Sequence, residues 1–299
     1  MQPRLHFRRC LQMRICTDES KRTKQRKLRI NFLKFMSNNK KLKTLIIVAG
    51  AAGEIGSEFC RRIINKKIDC IAILRNKKIA IESPFLSQVT CDLTNEKEIE
   101  TVFAQVDFGK YQKVVFLHTI GVDKFESRGY PNIKPMDTIP YDVYDSNVNT
   151  FKYLLKYCIR KIHKLNLQRK AKLKFKIAII AGSGDRYAPF VIESFCEAKF
   201  ILRQYIHSYI KIYPEWVSGL SINVTSTITQ SALKVRPHAD TKYWLTPKEV
   251  VAKSINLLTE SFSRYKEVDI IKNHPKFIEG YYENNDLLYE KWSRETGIK

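Results

Sequence analysis

A short apolar run, Thr44–Ala49, leads straight into Gly50-Ala51-Ala52-Gly53-Glu54-Ile55-Gly56, and an amphipathic stretch follows it. Nothing else in the chain restricts the fold as strongly. A continuous apolar run bounded by glycine reads as a strand buried on both faces, which is what a parallel sheet covered by helices demands. Residues 54–66 then carry Ile55, Phe59, Ile63 and Ile64 at helical spacing. The alternation continues, with further strands expected at 70–74, 88–91, 113–117, 175–181, 219–223 and 268–271. Asn95 and Glu98 have capping-box spacing ahead of a helix through Ile99, Val102 and Phe103. Helices are expected over 142–163, with Val148, Phe151, Leu155 and Ile159 on one face, and over 191–211, with Phe195, Ala198, Leu202, Tyr205 and Ile206 inward. Thr246-Pro247-Lys248-Glu249 opens another with an N-cap, a first-position proline and an acid three residues after the cap. About seven strands alternating with helices predict an α/β fold, a doubly wound parallel sheet in a single domain. Its crossovers should be right-handed, and ligands should lie beyond the carboxyl ends of the strands, where the strand order reverses.

Charge separates the first 35 residues from the rest. The 299-residue chain has 53 Lys plus Arg against 30 Asp plus Glu, a net charge of +23. Residues 1–35 hold 7 Arg and 4 Lys against Asp18 and Glu19, a net +9, and they show no strand alternation. They are expected to lie outside the fold, leaving 36–299 as the folded unit. Three readings of the segment stand open: sequence upstream of a natural start at Met36, a basic targeting segment, or an arm for nucleic acid or a membrane surface. With 44% hydrophobic residues the body is not a disordered polycation. It has no zinc-ligand spacing and no helix-turn-helix or basic–aromatic RNA-binding signature, which argues against nucleic acid as its partner. No stretch of 18 apolar residues predicts a membrane span. The seven cysteines are odd in number and none is spaced Cys-x-x-Cys. That pattern fits reduced thiols in a cytoplasmic protein, with no metal site.

The glycine turn carries the first chemistry. A first glycine permits a tight turn, a second lets backbone approach a pyrophosphate, and a third allows close helix–strand packing. The helix that follows offers free N–H groups and the positive end of its dipole to phosphates. Strand, turn, helix and strand are all present, so Gly50, Gly53, Ile55 and Gly56 are expected to bind a dinucleotide. A carboxylate about 20 positions on would select NAD through the ribose 2′-hydroxyl. The chain has Arg75-Asn76-Lys77-Lys78 there instead. A cation such as Arg75 suits the 2′-phosphate of NADP, so NADP is expected, with NAD as the other candidate.

These motifs resemble the short-chain dehydrogenase/reductase family, a Rossmann-type fold, over roughly 44–262, and its extended or atypical members in the spacing of the glycines. The resemblance implies that Asp92 and Leu93, after the third strand, contact the adenine. It implies a proton-relay role for Asn147, a hold on the substrate carbonyl for Ser183, and a hold on the nicotinamide ribose for Lys199. It also implies a small-molecule substrate, and a homodimer formed through the 142–163 and 191–211 helices. Where the family has tyrosine four residues before lysine, this chain reads Phe195-Cys196-Glu197-Ala198-Lys199. Phenylalanine offers no proton, and general acid catalysis is worth about 10²–10⁴-fold. Tyr187, four residues after Ser183, is the candidate substitute, and its other reading is a pocket-lining aromatic. Asp185 and Arg186 can meet a polar substrate or pair at the surface. His118 is a second acid–base candidate, read more readily as a core residue. Lys234, Arg236 and His238 form a candidate anionic-substrate site or a solvated basic loop. Two readings stand: an atypical NADP-dependent oxidoreductase acting on a polar carbonyl or hydroxyl substrate, or a catalytically silent NAD(P)-binding sensor, scaffold or partner subunit.

Overall fold

The computed structural model describes residues 43–76, 78–125, 139–185, 190–261, 264–272 and 284–297. The expectations for 1–35, Lys77, Arg186 and Tyr187 lie outside the described residues, as do Cys10 and Cys16.

Seven parallel strands form one sheet: β1 Thr44–Ala49, β2 Asp69–Leu74, β3 Leu86–Thr90, β4 Lys113–His118, β5 Lys174–Gly182, β6 Val217–Val224 and β7 Tyr265–Ile270. Their order is β3-β2-β1-β4-β5-β6-β7. The chain works outward from β1 to β3 and then returns to the other side of β1 with β4. The order therefore reverses between β1 and β4, and their carboxyl ends open the crevice in which ligands bind in such sheets. β1 shows why a continuous apolar run was required. Leu45, Ile47 and Ala49 face one core and Ile46 and Val48 the other, and none is more than 1% exposed. Each buried Ile or Val of this kind contributes about 1.5–3 kcal/mol relative to exposure.

Helices Glu96–Ala104, Thr150–Leu167 and Glu193–Ile212 pack on the first face, and Glu54–Asn65 and Pro247–Thr259 on the second. Thr246 and Glu249 form the expected reciprocal capping box. Asn95 caps its helix through the N–H groups of Lys97 and Glu98, but Glu98 accepts the N–H of Asp92 at 3.0 Å instead of closing the box. The helix expected over 142–163 is broken. An α-turn at Tyr141–Tyr144 passes into a π-helical turn at Asp145–Asn149 before Thr150–Leu167 continues. The cause is local: Asn147 Nδ2 donates to Val143 O at 2.9 Å, and Thr150 Oγ1 donates to Ser146 O at 2.6 Å. Side-chain donors thus compete for carbonyls of the regular ladder. Two helices had no counterpart in the sequence reading, Gln230–Val235 and Asn285–Thr296. Cys60, Cys70, Cys91, Cys158 and Cys196 are all buried, and none of them forms a disulfide.

Candidate functional site

Gly50 takes φ +82°, a conformation that L side chains rarely adopt. A Cβ there would also lie 2.8 Å from both Ile120 Cγ1 and Thr119 Oγ1. Thr119 Oγ1 donates to Ala49 O at 2.8 Å, tying the end of β4 to the turn. At Gly56 a Cβ would sit 2.2 Å from Gly50 O, so the helix packs directly on the backbone of the turn. Gly53 differs. Its φ is −75°, a Cβ would meet only Gly50 O at 3.4 Å, and it caps the helix with no side-chain hydrogen bond. The helix N-terminus is thus left open to the cleft. Glu54 Oε1 turns aside to accept the N–H of Gln230 at 2.7 Å. Gly56→Ala is expected to cost about 1–3 kcal/mol by overpacking. Gly53→Ala is expected to cost about 0.5 kcal/mol. Urea unfolding of the two variants checks the contrast, and equal losses would contradict the packing argument.

The turn opens onto a cleft of about 390 Å³ at the carboxyl ends of the strands. Gly50, Gly53, Ile55 and Gly56 line it together with Ser183, Phe195 and Lys199. Ser183 is buried, and its N–H donates to Val224 O at 2.8 Å. Lys199 is 1% exposed; its Nζ donates to Ile120 O at 2.9 Å and lies 5.1 Å from the centre of the Phe195 ring. Burial is the main cause that lowers Lys199 to about 8, partly opposed by the Asp185 carboxylate. The Phe195 ring lies against Gly121 and Gly182, where a Cβ would come 3.6 and 3.5 Å from it. The aromatic ring and the ammonium thus share one wall of the cleft.

Asn147 stands behind this wall, fully buried, and clamps the loop after β4 by donating from Nδ2 to Val122 O at 2.9 Å. Arg75, Asp92 and Leu93 are not among the residues that line the cleft. Arg75 is exposed two residues beyond Ile73, whose carbonyl accepts the N–H of Ala51 in the turn at 3.2 Å. The Asp92 carboxylate accepts from Thr94 N and Oγ1 at 2.9 and 2.8 Å, and Leu93 is buried in the core. His118 is fully buried, outside the cleft lining, with Nε2 3.0 Å from Thr150 Oγ1. Burial and the Lys199 charge hold its imidazole neutral.

Two expectations are corrected. Asp185 does not pair at the surface: it is buried, and it lines the cleft while its carboxylate is held from behind. Its Oδ1 accepts from Arg203 Nη2 at 2.9 Å and its Oδ2 from the N–H of Gly182 at 3.1 Å. Arg203 Nη2 also reaches Asn223 Oδ1 at 3.0 Å, and Asn223 Nδ2 donates to Asp269 Oδ1 at 2.9 Å. A buried polar network thus fixes the end of β5 beneath the cleft. Arg236, in turn, is no solvated loop residue. Its guanidinium lies 4.2 Å from the ring centres of both Trp244 and Trp292, and it donates to Glu295 Oε2 at 3.3 Å and Ser226 Oγ at 2.9 Å. Lys234 and His238 are exposed. Trp292 and Glu295 belong to Asn285–Thr296, and Trp292 and Arg236 both line the cleft. The sequence reading missed this helix; the signals that could have found it are its ends, the N-cap Asn284 and the terminal Gly297. What it covers has no such local signal.

Among the described residues no cluster of His, Cys, Asp or Glu could hold a metal ion, and no helix is long and apolar enough to cross a membrane. Residues 46–112 match the model of the NAD dependent epimerase/dehydratase family. No curated protein sequence matches the chain. Solved structures do. A 3-ketoacyl-(acyl-carrier-protein) reductase from Brucella melitensis, complexed with NADH, has TM-score 0.59 at 14% identity, over 76% of this chain and 96% of that one. A short chain dehydrogenase from Burkholderia cenocepacia, in complex with NADP, has TM-score 0.59 at 13% identity, over 83% and 96%. A serine dehydrogenase from Escherichia coli has TM-score 0.57 at 16% identity, over 76% and 97%. The chain therefore has the Rossmann-type fold of the short-chain dehydrogenases/reductases, and its first three strands carry the sequence pattern of the NAD dependent epimerase/dehydratase family.

Proposed function

We propose that the chain is an atypical NADP-dependent oxidoreductase of the short-chain dehydrogenase/reductase type, acting on a polar carbonyl or hydroxyl substrate, with residues 36–299 as its working unit. One observation carries this reading: the glycine turn, Ser183 and Lys199 open onto a single cleft. The fit of a dinucleotide rests on Gly53, where an open helix N-terminus meets space that a side chain would fill. Gly50, Gly53, Ile55 and Gly56 hold the pyrophosphate in this reading, Arg75 the 2′-phosphate, and Asp92 and Leu93 the adenine end. Lys199 binds the nicotinamide ribose through its ammonium. When bound, the nicotinamide exchanges hydride with the substrate carbon. Ser183 donates a hydrogen bond to the substrate oxygen, and Asn147 holds the Val122 loop in place. The proton comes from Tyr187 or from water, because Phe195 has none to give.

Phe195 is also the observation that favours the second reading, a nucleotide-binding protein without turnover. Its ring, rather than a phenol, stands beside Lys199. The reduced, buried cysteines fit a cytoplasmic protein. Exposed Leu167, Phe200 and Ile212 on the two long helices fit a homodimer.

Titration with NADPH and NADH tests both readings. NADPH is expected to bind at least about tenfold more tightly, the value of one charge-assisted contact. Arg75→Ala should erase the preference. Affinity should fall as pH rises through about 8, where Lys199 loses its proton. Failure to bind either nucleotide would sink both readings.

A further inference from the structure

A second cavity, of about 600 Å³, lies at the opposite end of the sheet from the cleft, where β4, β5 and β6 begin. Six basic side chains line it, Lys113, Arg169, Lys172, Lys174, Lys176 and Arg264, against only Glu215 and Glu260. Leu173 and Trp216 supply apolar wall. Strand alternation puts Lys113 and Lys176 on the face that carries Val115 and Ala178, the face covered by Pro247–Thr259. Both are buried at the carboxyl end of that helix. Lys113 Nζ donates to Thr259 O and Glu260 O, each at 2.9 Å. Lys176 Nζ donates to Leu257 O at 2.6 Å and Glu260 O at 2.7 Å.

One ammonium at a helix C-terminus is an ordinary complement to its dipole. Two protonated side by side would repel each other, and burial together with that repulsion makes Lys176 the one that gives up its proton near neutral pH. Burial is the largest cause that lowers Lys113 to about 8 and Lys176 to about 6. The Lys113 and Lys266 charges press Lys176 further down, and Glu260 opposes the shift in both. The surrounding cations also turn to main-chain oxygens. Arg169 Nη1 donates to Tyr111 O at 3.2 Å, Lys172 Nζ to Asn166 O at 2.6 Å, and Lys174 Nζ to Glu215 O at 2.7 Å. A carbonyl satisfies a donor without cancelling its charge, so positive potential concentrates in the cavity.

We propose that this basal cavity is a binding site for a small phosphorylated molecule, its phosphate held by the cationic wall and its remainder lying against Leu173 and Trp216. A phosphoryl group carries close to two negative charges and three acceptor oxygens, which suits several cations converging from different strands. The volume lies within the ~300–1,000 Å³ range of small-molecule pockets. A nucleic-acid strand fits less well, because Lys113 and Lys176 sit buried at the base of the sheet, behind the reach of a polymer backbone. The site is separate from the glycine-turn cleft and does not depend on its reading.

Calorimetric titration of the full chain with inorganic pyrophosphate, at constant ionic strength and with saturating NADPH present, tests the proposal. Lys172→Gln/Arg264→Gln is the matched variant, since both side chains are at the rim and neither is in a core. Saturable binding is expected, weakened at least about tenfold in the double variant by loss of charge-assisted contacts. Absence of saturable binding overturns the proposal. So does binding that the double variant leaves unchanged, which would place the pyrophosphate outside this cavity.

Discussion

Phe195→Tyr is expected to raise NADPH-dependent reduction of a polar carbonyl substrate by about 10²–10⁴-fold. The Phe195 ring already lies in the cleft, against Gly121 and Gly182, with Lys199 Nζ 5.1 Å from its centre. The substitution adds one hydroxyl to a side chain that lines the cleft beside Lys199. The nearby ammonium favours the phenolate and lowers the phenol's proton affinity toward neutrality. Ser183 lines the same cleft. Steady-state turnover over a panel of polar carbonyls, with NADPH saturating, measures the gain. The pH–rate profile of the variant should acquire a limb that the parent lacks. Unchanged turnover with NADPH bound would count against this account of the catalytic wall. High parental activity that disappears in Tyr187→Phe would identify Tyr187 as the acid already in place.

Stability is expected to rise by about 2 kcal/mol between pH 6 and pH 8, less than one full proton's worth over two units because Lys113 and Lys176 interact. Lys176 is held at about 6, and Lys113 and Lys199 at about 8, by burial. In the unfolded chain the same amines keep their protons to about 10.4. The unfolded state therefore binds more protons through this window, so stability increases with pH. Buried thiols reverse the trend at higher pH. Burial pushes Cys91 up to about 12 and Cys158 higher still, whereas an unfolded thiol ionises near about 8.5. The maximum should thus fall near about pH 9–10. Urea unfolding at constant ionic strength across pH 6–10 traces the curve, and Lys176→Met should flatten its acid limb. A decline from pH 6 to pH 8 would falsify the claim that these lysines are buried against their charge.

Much of the fold was legible because its signals are local. The bounds of Thr44–Ala49 follow from one apolar run and one glycine, and the start of Pro247–Thr259 from four consecutive residues. Gly50 and Gly56 announced their roles by residue type, since a positive φ and a 2.2 Å approach leave room for nothing larger. The π-helical turn was less legible. Asn147 and Thr150 are ordinary helical residues until their side chains reach back to carbonyls four residues earlier.

Charged residues were read least well. Asp185, Arg236, Lys113 and Lys176 look alike in sequence, each a polar residue near a strand or loop. Asp185 is buried by Arg203, 18 positions away, and Arg236 by Trp292 and Glu295, more than 50 positions away. Lys113 and Lys176 meet only because β4 pairs with β5, under a helix that ends at Thr259. Sequence alone determined the parallel sheet and the glycine turn, because periodicity and backbone freedom are properties of residues and their neighbours. Tertiary structure alone decided which charges are desolvated and what meets them, because solvation and Coulomb energy depend on distances that folding sets between remote parts of the chain.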